Sequence, residues 1–332
     1  MFNFFLLAAV LSGFLLLLGL TLYLLFPRKY QSSDSVANSY DDWTNDGILE
    51  FYWGEHIHLG HYGSPPRRKD FLASKHDFVH EMVRWGRLET LSTGTTVLDV
   101  GCGIGGSSRI LARNYGFYVT GVTISPQQVR RAQELTPETL TAQFKVDDAL
   151  NLSFPDASFD VVWSIEAGPH MPDKARYARE MVRVLKPGGI LVVADWNQRD
   201  ERHRLLNWWE RLIMRQLLDQ WAHPAFSSIE GFSEQLEATG LVANVVTTDW
   251  TQETLPAWLD SIWQGIVRPK GLIRFGFVGL IKSLREVPTF LLMRLAFGIG
   301  LCRFGMFRAV RADVPSKSSS NADGNSHDLV RS

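Results

Sequence analysis

The sequence predicts an α/β fold in which a parallel sheet is covered by helices on both faces. Short apolar runs rich in β-branched residues alternate with helical patterns in the middle of the chain. The predicted strands are Thr96–Val100, Tyr118–Val122, Phe159–Trp163 and Ile190–Trp196. The helical patterns between them are Ser107–Tyr115, Pro126–Leu135 and Lys174–Leu185. In sheets of this kind the ligand binds at the carboxyl ends of the strands, where the strand order reverses.

Composition excludes several other classes of protein. Of the 332 residues, 45% are hydrophobic and 21% are charged, so the chain has enough apolar material for a large core. The 34 Lys and Arg residues balance 35 Asp and Glu residues, and the net charge of −1 gives no basic surface for nucleic acid. The two cysteines, Cys102 and Cys302, exclude a disulfide scaffold and are typical of a reducing compartment.

The first 27 residues predict a transmembrane anchor. Residues 1–26 contain no charged side chain, and a helix of about 20 apolar residues suffices to cross a bilayer. The run is longer than the apolar region of a signal peptide, and no basic segment precedes it. Because Arg28 and Lys29 follow it, the positive-inside rule predicts a single-pass anchor with the rest of the chain on the cytoplasmic side.

The remaining chain divides into five predicted regions. Residues 28–74 form a linker and an N-terminal cap over the active site, and residues 75–250 form the core domain. A helical lid insertion at residues 251–300 is followed by a closing strand at residues 301–312. Residues 313–332 are rich in Ser, Asn and Asp, which is typical of a disordered tail.

The lid insertion is predicted to lie on an anionic lipid surface. Between residues 261 and 311 there are nine basic residues and a single acid. We expect a helix over Leu272–Arg285. At about 100° per residue, Arg274, Lys282 and Arg285 fall within about 80° of one another, and large apolar side chains fill the other faces. This pattern is typical of an interfacial helix, with a basic lid packed on the protein as the alternative.

A glycine-rich loop follows the first predicted strand. The segment DVGCGIGG begins at Asp99 and contains Gly101, Gly103, Gly105 and Gly106. Glycines let the backbone turn tightly, and they let a ligand approach it closely because no Cβ intervenes. The spacing also satisfies the dinucleotide-binding pattern, so the loop alone leaves the identity of the cofactor open.

Three later segments identify the cofactor class. VDDA at 146–149, DASFDVVW at 156–163 and LKPGG at 185–189 follow the glycine loop in that order. Together with the loop, they resemble the class I S-adenosylmethionine-dependent methyltransferases. The resemblance implies a Rossmann-like seven-stranded fold and S-adenosyl-L-methionine as the cofactor. The cofactor-binding residues that it implies are Asp99, Gly101, Gly103, Gly105, Thr123, Gln128, Asp148 and Ala149.

The end of the second predicted strand departs from the usual methyltransferase pattern. Thr123 stands where most of the superfamily has an acid that binds both ribose hydroxyls. The segment GVTISPQQ at 121–128 is similar to the branch that contains the tocopherol and cyclopropane-fatty-acid methyltransferases. By that resemblance, Thr123 and Gln128 share the ribose contacts as neutral partners.

Two further segments resemble the γ-tocopherol methyltransferase group. They are EFYWGEHIHLGHY at 50–62 and WSIEAGPHMPDK at 163–174. The resemblance implies C-methylation of a membrane-dissolved prenylquinol, a benzoquinol ring with a phytyl or solanesyl tail, in tocopherol and plastoquinone biosynthesis. Pro169 stands where a second acid is usual, which favours this acceptor over γ-tocopherol itself. A sterol or small-amine methyltransferase, or a catalytically silent binding module, is the alternative.

The chemistry of such a reaction requires one general base. A quinol ring carbon becomes nucleophilic when the neighbouring hydroxyl loses its proton, and histidine is the usual base near neutral pH. His170 follows a predicted strand directly, so it is the candidate base, with a backbone hydrogen bond as its alternative role. Glu166, four residues earlier, would orient the imidazole if the segment is helical.

The acceptor is expected to contact the predicted cap. Trp53 and Tyr62 are candidate walls for a flat ring, although they are equally typical of core residues. His58 is a candidate substrate-binding residue in a lid. His56, His58 and His61 alternate, but no Cys or carboxylate stands at a matching ligand spacing, so no metal site is predicted.

Overall fold

The computed structural model describes residues 10–11, 13–14, 17–21, 23, 27, 29–32, 41, 44–268 and 270–312. Within these residues, seven strands form one sheet. They are β1 (Thr96–Val100), β2 (Tyr118–Thr123), β3 (Ala142–Val146), β4 (Phe159–Ile165), β5 (Leu185–Gln198), β6 (Val242–Asp249) and β7 (Cys302–Arg311). The order across the sheet is β3-β2-β1-β4-β5-β7-β6. The predicted seven-stranded Rossmann-like fold is therefore confirmed.

Helices cover the sheet, and most of them lie between consecutive strands. Among the described residues they are α1 (Ile48–Trp53), α2 (Phe71–Gly86), α3 (Gly106–Tyr115), α4 (Pro126–Leu135), α5 (Lys174–Val184), α6 (Trp208–Gln220), α7 (Ile229–Glu237), α8 (Thr251–Thr254), α9 (Ala257–Val267) and α10 (Lys270–Gly298). Asp70, Ser125, Asp173, Asn207 and Ser228 cap α2, α4, α5, α6 and α7 by accepting hydrogen bonds from backbone N–H groups.

The core consists of two large clusters on opposite faces of the sheet and a small third cluster of Cys102, Val129, Ala132 and Phe144. Successive strand residues point to opposite faces, so neighbours in sequence belong to different clusters. Val192 packs with residues of α2, including Phe78, while Val193 packs with residues of α5 and α7, including Phe232. Burial on both faces explains why the predicted strands are continuous apolar runs.

The strand order reverses between β1 and β4. Leu98 on β1 pairs in parallel with Thr120 on β2 and with Val162 on β4. The chain moves outward from β1 through β2 to β3 and then returns to the other side of β1. The loops after β1 and β4 consequently diverge, which is the arrangement that creates a ligand crevice in open α/β sheets.

The lid segment extends further than the sequence predicts, but it is not one regular helix. The expected helix over Leu272–Arg285 lies within α10 (Lys270–Gly298), whose helical conformation is interrupted at Gly276 (φ 58°, ψ −157°). Arg285 is buried and donates to Gln220 Oε1 at 3.3 Å, while Lys282 pairs with Asp46 at 2.8 Å. The prediction that Arg274, Lys282 and Arg285 share one exposed face is therefore wrong, because the side chain of Arg285 is buried.

The predicted N-terminal anchor is also wrong. Among the residues that the structure describes, no helix combines the length and apolar character needed to cross a membrane. The remaining part of residues 1–27 and the predicted tail, residues 313–332, lie outside the described residues. Tyr23 is buried, and its carbonyl oxygen accepts a hydrogen bond from Gln220 Nε2 at 2.7 Å. The finding contradicts the single-pass anchor and the cytoplasmic placement that depended on it.

Candidate active site

A cavity lies at the carboxyl ends of β1, β2, β3 and β4, at the reversal of strand order. One lining residue, Ile57, comes from the segment after α1, and the others come from the last residues of β2 and β4, the loops that follow the four strands and the first turn of α4. The lining consists of Ile57, Gly101, Gly103, Val122, Thr123, Ile124, Gln128, Asp147, Asp148, Ala149, Leu150, Ile165, Glu166, Ala167, His170, Met171 and Pro172. This is the position expected for the ligand of such a sheet.

The glycine loop brings bare backbone to the cavity. Gly101 and Gly103 line it and have φ values of 78° and 53°, in the left-handed region that favours glycine. A Cβ at Gly101 would lie 2.4 Å from the Cβ of Ala167. Gly105 does not line the cavity, and a Cβ there would lie 2.6 Å from the ring of Phe144. Gly105 therefore shapes the turn at the start of α3 and does not contribute to the cavity lining.

Asp99 lies behind the glycine loop at the end of β1. Its side chain is buried, and its Oδ2 accepts a hydrogen bond from the Ser108 hydroxyl on α3 at 2.6 Å. Burial raises the pKa of Asp99 to about 7, and the bond from Ser108 acts in the opposite direction. The carboxyl group is absent from the cavity lining, in contrast to the neighbouring glycines.

The neutral pair that the sequence predicts at the end of β2 is joined by a hydrogen bond. The Thr123 hydroxyl donates to Gln128 Oε1 at 2.7 Å, and both side chains line the cavity. Ser125 caps α4 by accepting from Gln128 N at 3.0 Å, and the Ser125 hydroxyl itself donates to Asp41. The start of α4 is thus fixed by its own capping residue, Ser125, and by Asp41 from the N-terminal region.

The loop after β3 contributes Asp148 and Ala149. Both residues line the cavity, with Asp148 exposed and Ala149 buried. Asp148 Oδ1 accepts a hydrogen bond from Leu150 N at 2.9 Å. This turn holds the carboxylate at the cavity wall.

Glu166 is anchored by the cap rather than by a helix. It follows β4 with a left-handed φ of 54°, and its Oε1 accepts from Leu59 N at 2.7 Å. Burial raises the pKa of Glu166 to about 8, although the Leu59 bond and Lys75 lower it. The predicted helical relation to His170 is wrong, because a 3₁₀ turn, Gly168–His170, begins two residues later.

His170 lies at the end of this turn and lines the cavity. Burial lowers the pKa of its imidazole to about 3, and the nearby Lys174 ammonium adds to the effect. The ring is therefore neutral at physiological pH. Its centroid lies 4.2 Å from that of His223, with the two planes at 79°.

Two ionisable residues, Asp195 and Lys174, hold the loop that carries His170. Asp195 Oδ1 on β5 accepts from Gly168 N at 3.0 Å, and Lys174 Nζ donates to Met171 O at 2.6 Å. Burial raises the pKa of Asp195 and lowers that of Lys174, while each charge opposes the shift of the other. Sequence reasoning singled out neither residue: Lys174 only ends the segment at 163–174, and the bond from Gly168 to Asp195 joins residues 27 positions apart.

The three predicted acceptor-binding residues lie away from the lining. Trp53 is buried, stacks on Phe290 at 6.1 Å and carries the Lys75 ammonium over its ring at 3.9 Å. Tyr62 is buried and donates to Asp260 at 2.6 Å. His58 Nδ1 donates to Leu59 O at 2.7 Å. Trp53 and Tyr62 thus belong to the core of the cap, and Ile57 reaches the cavity instead.

Ion pairs dock the cap onto the helices beside the glycine loop. Arg109 on α3 pairs with Glu55 at 2.7 Å, and Arg131 on α4 pairs with Glu50 at 2.6 Å. The Arg109 side chain is almost fully buried, whereas that of Glu55 is half exposed. The segment that contributes Ile57 is therefore held against both helices that flank the cavity.

Comparison with known proteins decides the family. Residues 98–193 match the family model described as a methyltransferase domain. A 2-methyl-6-phytyl-1,4-hydroquinone methyltransferase of Synechocystis sp. is 72% identical over 310 residues, which cover 93% of this chain and 98% of that protein. The chain belongs to this methyltransferase family. A chloroplastic tocopherol O-methyltransferase of Arabidopsis thaliana is 34% identical, over 82% of this chain and 80% of that protein.

Solved structures share the fold of this methyltransferase. A phosphoethanolamine N-methyltransferase 2 of Haemonchus contortus, in complex with S-adenosyl-L-methionine, superimposes with a TM-score of 0.66 at 19% identity. The match covers 82% of this chain and 60% of that protein. At that identity the likeness shows the shared fold, while the family membership makes the chain an S-adenosyl-L-methionine-dependent methyltransferase.

The cavity lining fits this cofactor. Gly101 and Gly103 line the cavity without a side chain, so a ligand can approach their backbone closely. Thr123 and Gln128 supply neutral hydrogen-bonding groups, and Asp148 supplies a carboxylate. These groups suit a ligand that carries hydroxyl, amine and purine groups.

We expect Gly101→Val to abolish cofactor binding. The new side chain collides with Ala167 at the cavity wall, so the affinity for S-adenosylmethionine should fall at least about 100-fold, as measured by calorimetry. Gly188→Val is the matched control, because Gly188 also has a positive φ (73°) but no atom within 4 Å of its Cβ position.

The control variant should lose about 1–2 kcal/mol of stability through backbone strain while it binds the cofactor like the wild type. Binding by Gly101→Val with wild-type affinity would remove the glycine loop from the cofactor site.

Proposed function

We propose that this protein methylates a ring carbon of a 2-methyl-6-prenyl-1,4-hydroquinone with S-adenosylmethionine as the methyl donor. The observation that carries the proposal is the 72% identity, over nearly the whole length of both chains, to a protein named for that hydroquinone. The cavity supports it, because a buried carboxyl group and a neutral imidazole line the same wall.

We assign the cofactor contacts from the family resemblance and the lining. Gly101 and Gly103 would hold the methionine end, with Asp99 and Gly105 supporting the loop from behind. Thr123 and Gln128 would bind the ribose hydroxyls. Asp148 and Ala149 would contact the adenine, the carboxylate accepting a hydrogen bond from the exocyclic amine.

The protein must position the acceptor and remove one proton. Bound S-adenosylmethionine supplies a methyl group that its sulfonium charge already activates. Loss of the proton from a ring hydroxyl increases the electron density on the carbon ortho to it. That carbon forms a bond to the methyl group as the sulfur–carbon bond breaks. The methylated carbon then releases its own proton to solvent and the ring oxygen takes back the proton held by the base, so aromaticity and the hydroxyl group are restored and one proton is released in total.

We assign the removal of the hydroxyl proton to Glu166, with His170 accepting the hydroxyl hydrogen bond. A base works best when its pKa is near the working pH, and the pKa of Glu166, about 8, is closer than that of His170, about 3. An ionised Glu166 would also balance the sulfonium charge, so the buried site would be neutral before and after the transfer. The sequence analysis instead makes His170 the base and Glu166 the residue that orients its imidazole.

Replacement of Glu166 by glutamine, Glu166→Gln, tests this division. The introduced amide oxygen can still accept from Leu59 N but the amide cannot take up a proton, so turnover should fall about 10²–10⁴-fold. His170→Ala should lower turnover about tenfold, the scale of one lost neutral hydrogen bond. Single-turnover rates at saturating cofactor measure both, and a larger loss for His170→Ala would return the role of base to His170.

We further propose that the acceptor is drawn from an anionic lipid surface. Two packed helices, α9 and α10, carry large apolar side chains that face solvent. Trp263 is 51% exposed, Phe277 is 71% exposed and Ile273 is 87% exposed. Lys270 and Arg274 are exposed between them and supply positive charge. Apolar side chains beside basic ones are typical of surfaces that bind anionic lipid.

Vesicle flotation tests the lipid proposal. On vesicles of phosphatidylcholine and phosphatidylglycerol, Phe277→Glu should reduce the bound fraction several-fold, because it places a carboxylate on the apolar face. Val246→Glu makes the same change at a side chain of β6 that is 44% exposed, and it should bind like the wild type. Equal retention of both variants, or equal wild-type binding to pure phosphatidylcholine, would contradict an anionic lipid surface.

The choice of acceptor can be tested directly. We expect turnover of 2-methyl-6-prenyl-hydroquinones with either a phytyl or a solanesyl tail, because a tail that stays in lipid does not need to enter the cavity. A kcat/KM for γ-tocopherol at least about tenfold lower is expected, since its second ring oxygen is closed into an ether ring, which changes the shape of the head group and removes one hydrogen-bond donor. A preference for γ-tocopherol, or comparable rates on sarcosine, would overturn the proposed acceptor.

A further inference from the structure

The residue that packs most closely on the ring of His170 is one that no sequence motif singles out. His223 lies in the loop between α6 and α7 and is 5% exposed. Its ring meets that of His170 edge to face, with 4.2 Å between centroids. The rings of Trp196, Trp221 and Phe226 surround it at 5.4–6.2 Å. A histidine in an otherwise aromatic environment, against a residue of the cavity wall, requires an explanation.

The backbone before His223 is strained in a way that fixes its place. Ala222 is buried and has a left-handed φ of 54°, which costs about 1 kcal/mol for a residue with a Cβ. The next residue closes the end of α6, because His223 N donates to Leu218 O at 3.0 Å. The position of the imidazole is therefore set by the end of a helix rather than by a free loop.

The protonation of His223 follows from its contacts. Its Nδ1 lies 3.0 Å from Trp221 O, and a carbonyl oxygen can only accept, so Nδ1 carries the hydrogen. Burial lowers the pKa of the ring well below its usual range, and His170 and Lys174 add to the effect, so the ring is neutral. Nε2 consequently holds a lone pair.

This lone pair lacks a partner within the part of the chain that the structure describes. Nε2 of His223 is buried, and no described group donates a hydrogen bond to it. An unsatisfied buried acceptor costs about 1–3 kcal/mol, so the fold keeps it at a price in stability. The nearest ring that can carry an N–H group is that of His170.

We propose that His223 is a positioning residue that acts through His170. When the cofactor is bound, Nε2 of His223 accepts a hydrogen bond from a ring N–H group of His170. This bond fixes the tautomer of His170. The other ring nitrogen of His170 is then unprotonated, and it is the atom that accepts the hydroxyl hydrogen bond of the acceptor. This inference rests on the proposed function, in which His170 holds that hydroxyl.

Two amide substitutions separate the two nitrogens of His223. In His223→Asn, the amide NH₂ takes the place of Nδ1 and keeps the bond to Trp221 O, but nothing replaces Nε2. In His223→Gln, the longer side chain places an amide oxygen near the position of Nε2 and gives up the bond to Trp221 O. The pair therefore tests the acceptor and the structural bond independently.

We expect His223→Asn to lower kcat by up to about tenfold, the loss expected for removal of the His170 side chain itself, while the KM for the hydroquinone and the affinity for the cofactor stay within about threefold. His223→Gln should retain most of the turnover. A structural role predicts the reverse order, with Asn tolerated and Gln impaired. That order, or equal loss in both variants, would overturn the inference.

A spectroscopic measurement separates this inference from the proposed function. With ¹⁵N-labelled histidine in the cofactor-bound protein, the ring nitrogens of His170 should report one fixed tautomer in the wild type and in His223→Gln. They should report a mixture in His223→Asn. The measurement needs no acceptor, so a wild-type protein that fails to methylate the hydroquinone would refute the proposed function alone. Unchanged His170 signals in His223→Asn would refute the role of His223.

Discussion

Parallel pairing on both sides of β1 is the constraint on which the site depends. Both β2 and β4 run parallel to β1, one on each side of it. The chain therefore passes from β1 to β2 and β3 on one side and then crosses to β4 on the other side. The loops at their carboxyl ends diverge at that point, and a cavity follows from the topology. The chemistry of the site then depends on what the loops carry: bare backbone after β1, a neutral pair after β2 and ionisable groups after β4.

The groups around the cavity share one electrostatic tendency. Burial shifts the pKa of Asp99 and Glu166 upward and that of His170 downward, so each shift favours the uncharged form. These three buried groups are uncharged in the absence of ligand, and the two carboxyl groups can ionise when a cation approaches. This property suits a cofactor whose sulfur is positively charged before the methyl transfer and neutral after it.

Local pattern explains which parts of the molecule the sequence predicts. The strand Thr96–Val100 and the helix Pro126–Leu135 have the predicted bounds, because their apolar runs and caps are local signals. The contact of Leu59 with Glu166 joins residues 107 positions apart, and no local pattern encodes it. The same limit explains why His223 was missed. Hydropathy alone also misassigned the N-terminus, where no helix among the described residues is long and apolar enough to cross a membrane and where Tyr23 is buried.

The left-handed conformation of Ala222 has a consequence for engineering. Glycine adopts this conformation without penalty, so a design method that optimises heat resistance would select Ala222→Gly as an improvement worth about 1 kcal/mol. The same change would enlarge the conformational freedom of the segment that delivers His223 to His170. A screen that selects on melting temperature alone would therefore accumulate a substitution whose effect appears only in the rate constant. Such a screen should treat position 222 as part of the catalytic architecture, even though its methyl group touches no ligand.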